Sequence, residues 1–231
     1  MYLMLTSRCN MSCVHCCFSC TKEGEDMTLA TFRKALDHDT GQVTLGGGEP
    51  TLHRDFERML LEAMAHPNIE SDWGGVLVVT NGTHKRRSRM LFQLAKSGAI
   101  CADLSRDDYH DDIDEETAEM WEEEAARVAK VRNGWSSSAR ETERSNVSIR
   151  NTTENQEPTA NGRAVTVLGY EKGENFRCPY DGIVVKPNGD VHACGCEDSP
   201  KIGDVFHGFT VPEDEEYQNS RCAGHREPCE A

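Results

Sequence analysis

Long apolar runs are missing from this chain of 231 residues: no stretch approaches the roughly 18 uninterrupted apolar residues that a membrane-spanning helix needs. The opening, MYLMLTSRCN, lacks the basic start and extended apolar core of a secretory signal. Together these absences predict a protein that works in the cytoplasm and away from the membrane. Positive charge is also scarce. The 25 Lys and Arg stand against 40 Asp and Glu, a net charge of −15, and so acidic a surface repels a phosphate backbone at every approach. Polymeric nucleic acid is therefore not the expected partner.

Cysteine is in excess. The chain has 11, an odd number that suits a fully paired disulfide framework poorly. Thiolate ligands for a metal explain them better. The triplets beginning at Asn81, Asn146 and Asn151 match the glycosylation pattern, but without a secretory signal they read as chance occurrences.

The length suits one main core with a small appendage. Apolar strands are predicted over residues 2–5, 42–45, 75–80 and 99–104, and helical spacing from Thr28 and over 56–65, 88–96 and 114–131. Alternating strands and helices predict an α/β fold with a parallel sheet and right-handed crossovers, either open or curled into a barrel. Functional side chains then belong at the carboxyl ends of the strands. Residues 134–161 are rich in Ser, Thr, Asn and Glu, with one weak strand at Val147 and Ile149; residues 164–168 make a better one. From residue 176 onward the texture changes to short strands, a Pro187-Asn188-Gly189-Asp190 turn and five cysteines. A boundary near Gly169 divides the chain into 1–168 and a metal-stapled 169–231.

Cys9-x-x-x-Cys13-x-x-Cys16 places three thiols on the loop after the first strand. Three thiolates can hold three irons of a cubane and leave the fourth open to a small molecule. The competing reading is tetrahedral zinc on Cys13, Cys16, Cys17 and Cys20, a cramped pair of knuckles. Gly46-Gly47-Gly48-Glu49-Pro50 ends the second strand, where glycines let a ligand approach the backbone closely. Read alone, it is a tight turn with Thr51 as a helix cap. It is not a phosphate fingerprint, because the spacing is wrong and the lysine is missing. Thr80-Asn81-Gly82 ends the third strand, and Ser105 ends the fourth.

In that order, the cysteine spacing, Gly-Gly-Glu-Pro and Asn-Gly at three consecutive strand ends resemble the radical SAM superfamily along the whole first half of the chain. The resemblance implies a partial (β/α)6 TIM-like barrel with a 4Fe-4S cluster on Cys9, Cys13 and Cys16, whose open iron chelates S-adenosylmethionine (SAM). It places Gly47, Gly48 and Glu49 at the methionyl amine, Asn81 at the ribose, His15 near the adenine and Ser105 near the SAM carboxylate. Asp107, Asp108, Tyr109 and His110 then face substrate, or else form a solvated acidic loop. The tail, with Cys178, ten residues, Gly189, four residues and Cys194, resembles a SPASM or twitch domain. Cys196 with Cys222 or Cys229 would complete an auxiliary iron-sulfur cluster there, with a zinc ribbon as the local alternative. Cys17 and Cys20 lie outside both patterns.

The resemblance further implies reductive cleavage of SAM to a 5′-deoxyadenosyl radical, an electron donor such as flavodoxin or ferredoxin, and a reducing compartment. A peptide or protein side chain is the favoured substrate, with a small molecule such as a nucleotide or amino acid as the alternative. A reading of another class is a non-catalytic zinc-binding interaction module. The basic run His84-Lys85-Arg86-Arg87-Ser88-Arg89 opposes the dipole of the helix it opens. It is expected either to dock an acidic reductase or anionic substrate group or to be plain solvated surface.

Overall fold

The computed structural model describes residues 1–14, 16, 18–38, 41–69, 75–107, 109–134, 145–150, 182–193, 195 and 199–211. Strands β1 (Tyr2–Thr6), β2 (Val43–Gly47), β3 (Val76–Thr80), β4 (Cys101–Ser105) and β5 (Val147–Arg150) alternate with helices α1 (Leu29–Leu36), α2 (Phe56–Met64), α3 (Lys85–Lys96) and α4 (Glu115–Gly134). The sheet order is β5-β4-β3-β2-β1, followed beyond β1 by β6 (Val184–Val185), β7 (Asp190–His192), β8 (Lys201–Asp204) and β9 (Gly208–Phe209). Neighbours from β5 through β1 to β6 are parallel, and the last pairs are antiparallel hairpins. The strands near Gly189 thus extend the main sheet. The strand expected at residues 164–168 lies outside the described residues.

Period-two burial shows which face of the sheet is covered. Leu3, Leu5, Val43, Leu45, Val76, Val78, Ala102, Leu104 and Val147 are all buried and form one core with Phe32, Phe56, Met59, Leu60, Leu91, Phe92 and Trp121 from the four helices. Each such side chain contributes roughly 1.5–3 kcal/mol when fully removed from water. The alternating residues Leu77, Val79, Asp103, Ser105 and Ser148 stay partly or fully exposed on the other face. Among the described residues the helices therefore cover one side of the sheet, and the carboxyl ends of the parallel strands lie along one edge of it.

Local chemistry sets the helix starts. The Thr28 hydroxyl accepts the Thr31 N–H at 3.1 Å and caps α1. Helix α3 begins at Lys85, three residues before the apolar spacing, because the His84 ring accepts the Arg87 N–H at 3.4 Å. The acidic α4 docks through Trp121, whose indole N–H donates to Ser88 Oγ at 3.1 Å and whose ring meets Phe92 edge-on.

Glu124, also on α4, is buried between Lys96 (3.2 Å) and Arg127 (2.7 Å). Hydrogen bonding from Arg127 outweighs burial and pulls its carboxyl from 4.5 down to about 2. A depressed carboxyl stabilises the fold above its ordinary value and loses that contribution as pH falls toward the folded value. Urea unfolding is thus expected to show Glu124→Gln about 1–2 kcal/mol less stable at neutral pH, with the gap shrinking steadily from pH 4.5 downward. A gap independent of pH would mean that the pair does not hold the carboxylate.

Candidate functional site

The cysteine loop leaves β1 and doubles back on itself. Ser7 and Cys9 donate their N–H groups to Glu25 and Thr21 carbonyls at 2.8 and 2.7 Å, and Met27 donates to Leu5 at 2.8 Å. Arg8 closes the base on Asp26 with two hydrogen bonds of 2.9 and 2.6 Å, and the Thr6 hydroxyl adds a third at 2.6 Å. Burial alone would raise the Asp26 carboxyl, but Arg8 and Thr6 hold it below its ordinary value. Cys16 then donates its N–H to the Cys13 carbonyl at 3.2 Å.

Cys9, Cys13 and Cys16 are all partly exposed, whereas Cys20 is buried. Burial pushes the Cys13 thiol up to about 12, and the negative charges of Cys9, Cys16 and Asp111 push in the same direction. The three sulfurs thus share one electrostatic neighbourhood, and a cation held among them is what would make all three thiolates at once. The Met11 N–H, 3.4 Å from Cys9 Sγ, also favours a thiolate. Among the described residues no three His, Cys, Asp or Glu side chains could hold a single ion. A cubane makes no such demand, since each thiolate binds a different iron. The donor set fits a cluster. His15 and Cys17 lie outside the described residues, as do Cys178, Cys194, Cys196, Cys222 and Cys229.

The glycine run is joined directly to this loop. Gly48 N–H donates to the Thr6 carbonyl at 2.7 Å and Glu49 N–H to the Arg8 carbonyl at 2.8 Å. Gly47 N–H donates to the Tyr2 hydroxyl at 2.6 Å. Gly47 has a φ of +122°, and a Cβ on Gly48 would stand 2.1 Å from the Arg8 carbonyl oxygen, so neither position admits a side chain. All three successive amides are occupied within the protein. A ligand that meets this strand end therefore finds no free N–H on Gly47, Gly48 or Glu49.

Glu49 has no exposed surface. Its Oε1 accepts from Thr51 N–H (3.0 Å), Thr51 hydroxyl (2.5 Å) and Thr80 hydroxyl (2.8 Å), and its Oε2 accepts from Asn81 N–H (2.6 Å). The carboxylate thus ties the end of β2 to the end of β3. It also caps the short 3-10 turn Pro50–Leu52, the role that the sequence alone suggests for Thr51.

Asn81 lies beside the cysteine loop. Its Oδ1 accepts from Thr83 N–H and hydroxyl at 3.1 and 2.7 Å, and its Nδ2 donates to Asn10 Oδ1 at 3.1 Å and points at Cys9 Sγ from 3.9 Å. Asn10 returns a hydrogen bond to Thr83 at 2.9 Å. Neither Asn10 nor Thr83 stands out in the sequence, because their pairing spans more than seventy residues.

Ser105 ends β4 on the rim of a cavity of about 1050 Å³, together with Arg106, Asp107 and His110. Asp107 is not a solvated residue: its side chain is only 3% exposed. It accepts the Tyr109 N–H at 2.9 Å and lies 2.7 Å from His110 Nδ1. Asp108 lies outside the described residues. The basic run, by contrast, is neutralised locally. Lys85 pairs with Asp114, Arg86 and Arg87 with Glu57, and Arg89 with Glu116, while Arg87 also donates to the Thr51 and His53 carbonyls. The acids that offset the helix dipole thus also pair with these cations, most of which stay exposed at the surface.

The sequence profile of the radical SAM superfamily matches residues 3–136, from β1 through α4. The chain belongs to that superfamily. Among solved structures, this radical SAM chain superposes on native anSMEcpe with bound AdoMet and Cp18Cys peptide, with a TM-score of 0.50, 16% identity, and coverage of 95% of this chain and 81% of that one. It is also similar to Streptococcus suis SuiB bound to S-adenosylmethionine, with a TM-score of 0.49 at 15% identity over 96% of this chain and 67% of that one. The anSMEcpe match shows the fold: an α/β architecture with the parallel sheet of a radical SAM partial barrel. A curated relative, a probable GTP 3′,8-cyclase of Methanosarcina acetivorans, is 29% identical over 86 residues, which is 33% of this chain and 26% of the relative. The match thus spans about a quarter of that relative's length. Among the described residues no helix is long and apolar enough to cross a membrane.

Proposed function

We propose that this chain binds a 4Fe-4S cluster on Cys9, Cys13 and Cys16 and SAM across the carboxyl ends of β1 to β4, and that it initiates radical chemistry on a substrate. One observation carries the reading: a three-thiol loop is hydrogen-bonded to a glycine run in which the amides of Gly47, Gly48 and Glu49 are engaged, which leaves backbone carbonyls as the groups to meet an ammonium in this proposal. Cys9, Cys13 and Cys16 would hold the cluster, which would supply the electron for reductive cleavage of SAM to methionine and a 5′-deoxyadenosyl radical able to take a hydrogen atom from substrate. The chain's own residues hold this assembly in place. Glu49 joins β2 to β3, Asn81 and Asn10 join β3 to the cysteine loop, and Arg8 with Asp26 closes the loop base. Gly47 and Gly48 take the methionyl amine through their carbonyls, with Glu49 acting as the brace behind them. Ser105 faces the SAM carboxylate, His15 the adenine and Asn81 the ribose side of the site.

The tail, residues 169–231, is assigned to an auxiliary cluster on Cys178, Cys194 and Cys196 with Cys222 or Cys229. Within that segment the hairpin β6–β7, with its turn at Gly189, lies beside β1. A reconstituted sample is expected to hold about eight irons per chain; a plateau at about four contradicts the auxiliary cluster. A flavodoxin- or ferredoxin-type donor in a reducing cytoplasm would supply the electron.

A peptide or protein side chain is the favoured substrate, and the peptide in the anSMEcpe structure is in line with this. The second reading, a nucleotide, is favoured by the probable GTP 3′,8-cyclases. Anaerobic incubation with SAM and dithionite, followed by analysis for 5′-deoxyadenosine, tests the core proposal. Adding GTP separates the substrates: a new nucleotide product at the expense of GTP supports the second reading, and an unchanged GTP pool removes it.

A further inference from the structure

Gly46 is not explained by the close approaches that require Gly47 and Gly48. A Cβ at Gly46 would fall 2.2 Å from the Tyr2 hydroxyl and 2.7 Å from its ring carbon Cζ, so this glycine makes room for a phenol. That hydroxyl accepts the Gly47 N–H at 2.6 Å. The ring also packs on Phe18 of the cysteine loop, with centroids 5.4 Å apart and planes tilted by 33°. Tyr2 therefore touches the glycine run and the thiol loop at the same time. The neighbouring amides of Gly48 and Glu49 are held by backbone carbonyls, so the Tyr2 hydroxyl is the side-chain group that completes the set.

We infer that Tyr2 is a positioning residue for SAM: its hydroxyl fixes the peptide between Gly46 and Gly47, so that this strand end presents carbonyl oxygens, and no loose amide, to the methionyl ammonium. The inference rests on the SAM reading given above. Loss of the hydroxyl leaves the ring and its packing in place and frees a single N–H, so the effect falls on cofactor affinity rather than on the fold.

The test uses full-length wild type and Tyr2→Phe, reconstituted anaerobically with iron and sulfide, reduced and titrated with SAM while the electron paramagnetic resonance spectrum of the cluster is followed. Tyr2→Phe is expected to bind SAM about fivefold more weakly, the effect of one modest hydrogen bond. The loss should appear in KM for SAM rather than in kcat for 5′-deoxyadenosine. Hydrogen exchange should also show lost protection at the Gly47 amide while neighbouring strands keep theirs. Equal affinity in the two proteins, or a fall in kcat at unchanged KM, overturns the role of Tyr2 and leaves the SAM reading intact. A wild-type cluster spectrum that does not respond to SAM overturns both. If Tyr2→Phe does not fold, Gly46→Ala replaces it: the added methyl pushes the phenol off Gly47, and SAM binding as tight as wild type contradicts the inference.

Discussion

Cys13→Ala is expected to lose SAM cleavage by more than about 100-fold, because even outer-shell changes at metal sites cost about 10- to 100-fold and this one removes a ligand. Two thiolates cannot hold the cubane with only one iron left open. The parallel change at Cys20 should do little. That residue is buried, unlike Cys9, Cys13 and Cys16, and its substitution costs roughly 1 kcal/mol of packing. Iron content and visible absorption of the anaerobically reconstituted proteins check both claims. An iron-replete Cys13→Ala protein, or a Cys20→Ala protein without its cluster, contradicts the ligand assignment.

The second large effect concerns Glu49. Its two oxygens receive hydrogen bonds from Thr51, Thr80 and Asn81, so Glu49→Ala leaves two buried N–H groups and two hydroxyls without this partner. The expected cost is about 2–5 kcal/mol, or roughly 5–15 °C in Tm for a chain of this size. Glu49→Gln keeps the shape but turns one acceptor into a donor facing either the Asn81 N–H or the two threonines, at a cost of about 1–3 kcal/mol. Both variants should bind SAM more weakly, since the joint between the glycine run and the Asn81 loop is lost. Burial pushes the Glu49 carboxyl above its ordinary value of 4.5, against the opposing pull of its donors. A raised carboxyl destabilises the fold as pH climbs from the unfolded value through the folded one. Wild type therefore gives up part of its advantage over Glu49→Gln on that climb, and thermal melts taken upward from pH 4.5 should show the gap narrowing. A Glu49→Ala protein that melts with wild type would show that the carboxylate braces nothing.

The sheet was readable because its strands are short apolar runs that stop at polar or glycine residues. Residues 42–45 and 75–80 became β2 and β3 within a residue or two, and even the weak Val147 and Ile149 signal became β5. Helix α3 was missed by one turn because its start is set by the His84 cap and by ion pairs to Glu57, Asp114 and Glu116, all distant in sequence. The spacing marked three thiols on the loop after β1, and the order of motifs along the chain gave them their expected role. The braces of that loop were not legible: Arg8 with Asp26, Asn10 with Thr83, and Tyr2 with Gly47 follow no local pattern, because each pair meets only after the sheet has assembled. Glu49 carries the same lesson. Its place in Gly-Gly-Glu-Pro suggested a ligand-facing carboxylate, whereas the fold buries that group among donors from Thr51, Thr80 and Asn81.

Electron-nuclear double resonance on the reduced protein with SAM labelled at the amino nitrogen and carboxylate oxygen tests the central claim most directly. Coupling of both labels to the cluster held by Cys9, Cys13 and Cys16 is the predicted result. Zinc on those thiols, or a cluster signal that carries neither coupling, would contradict the account.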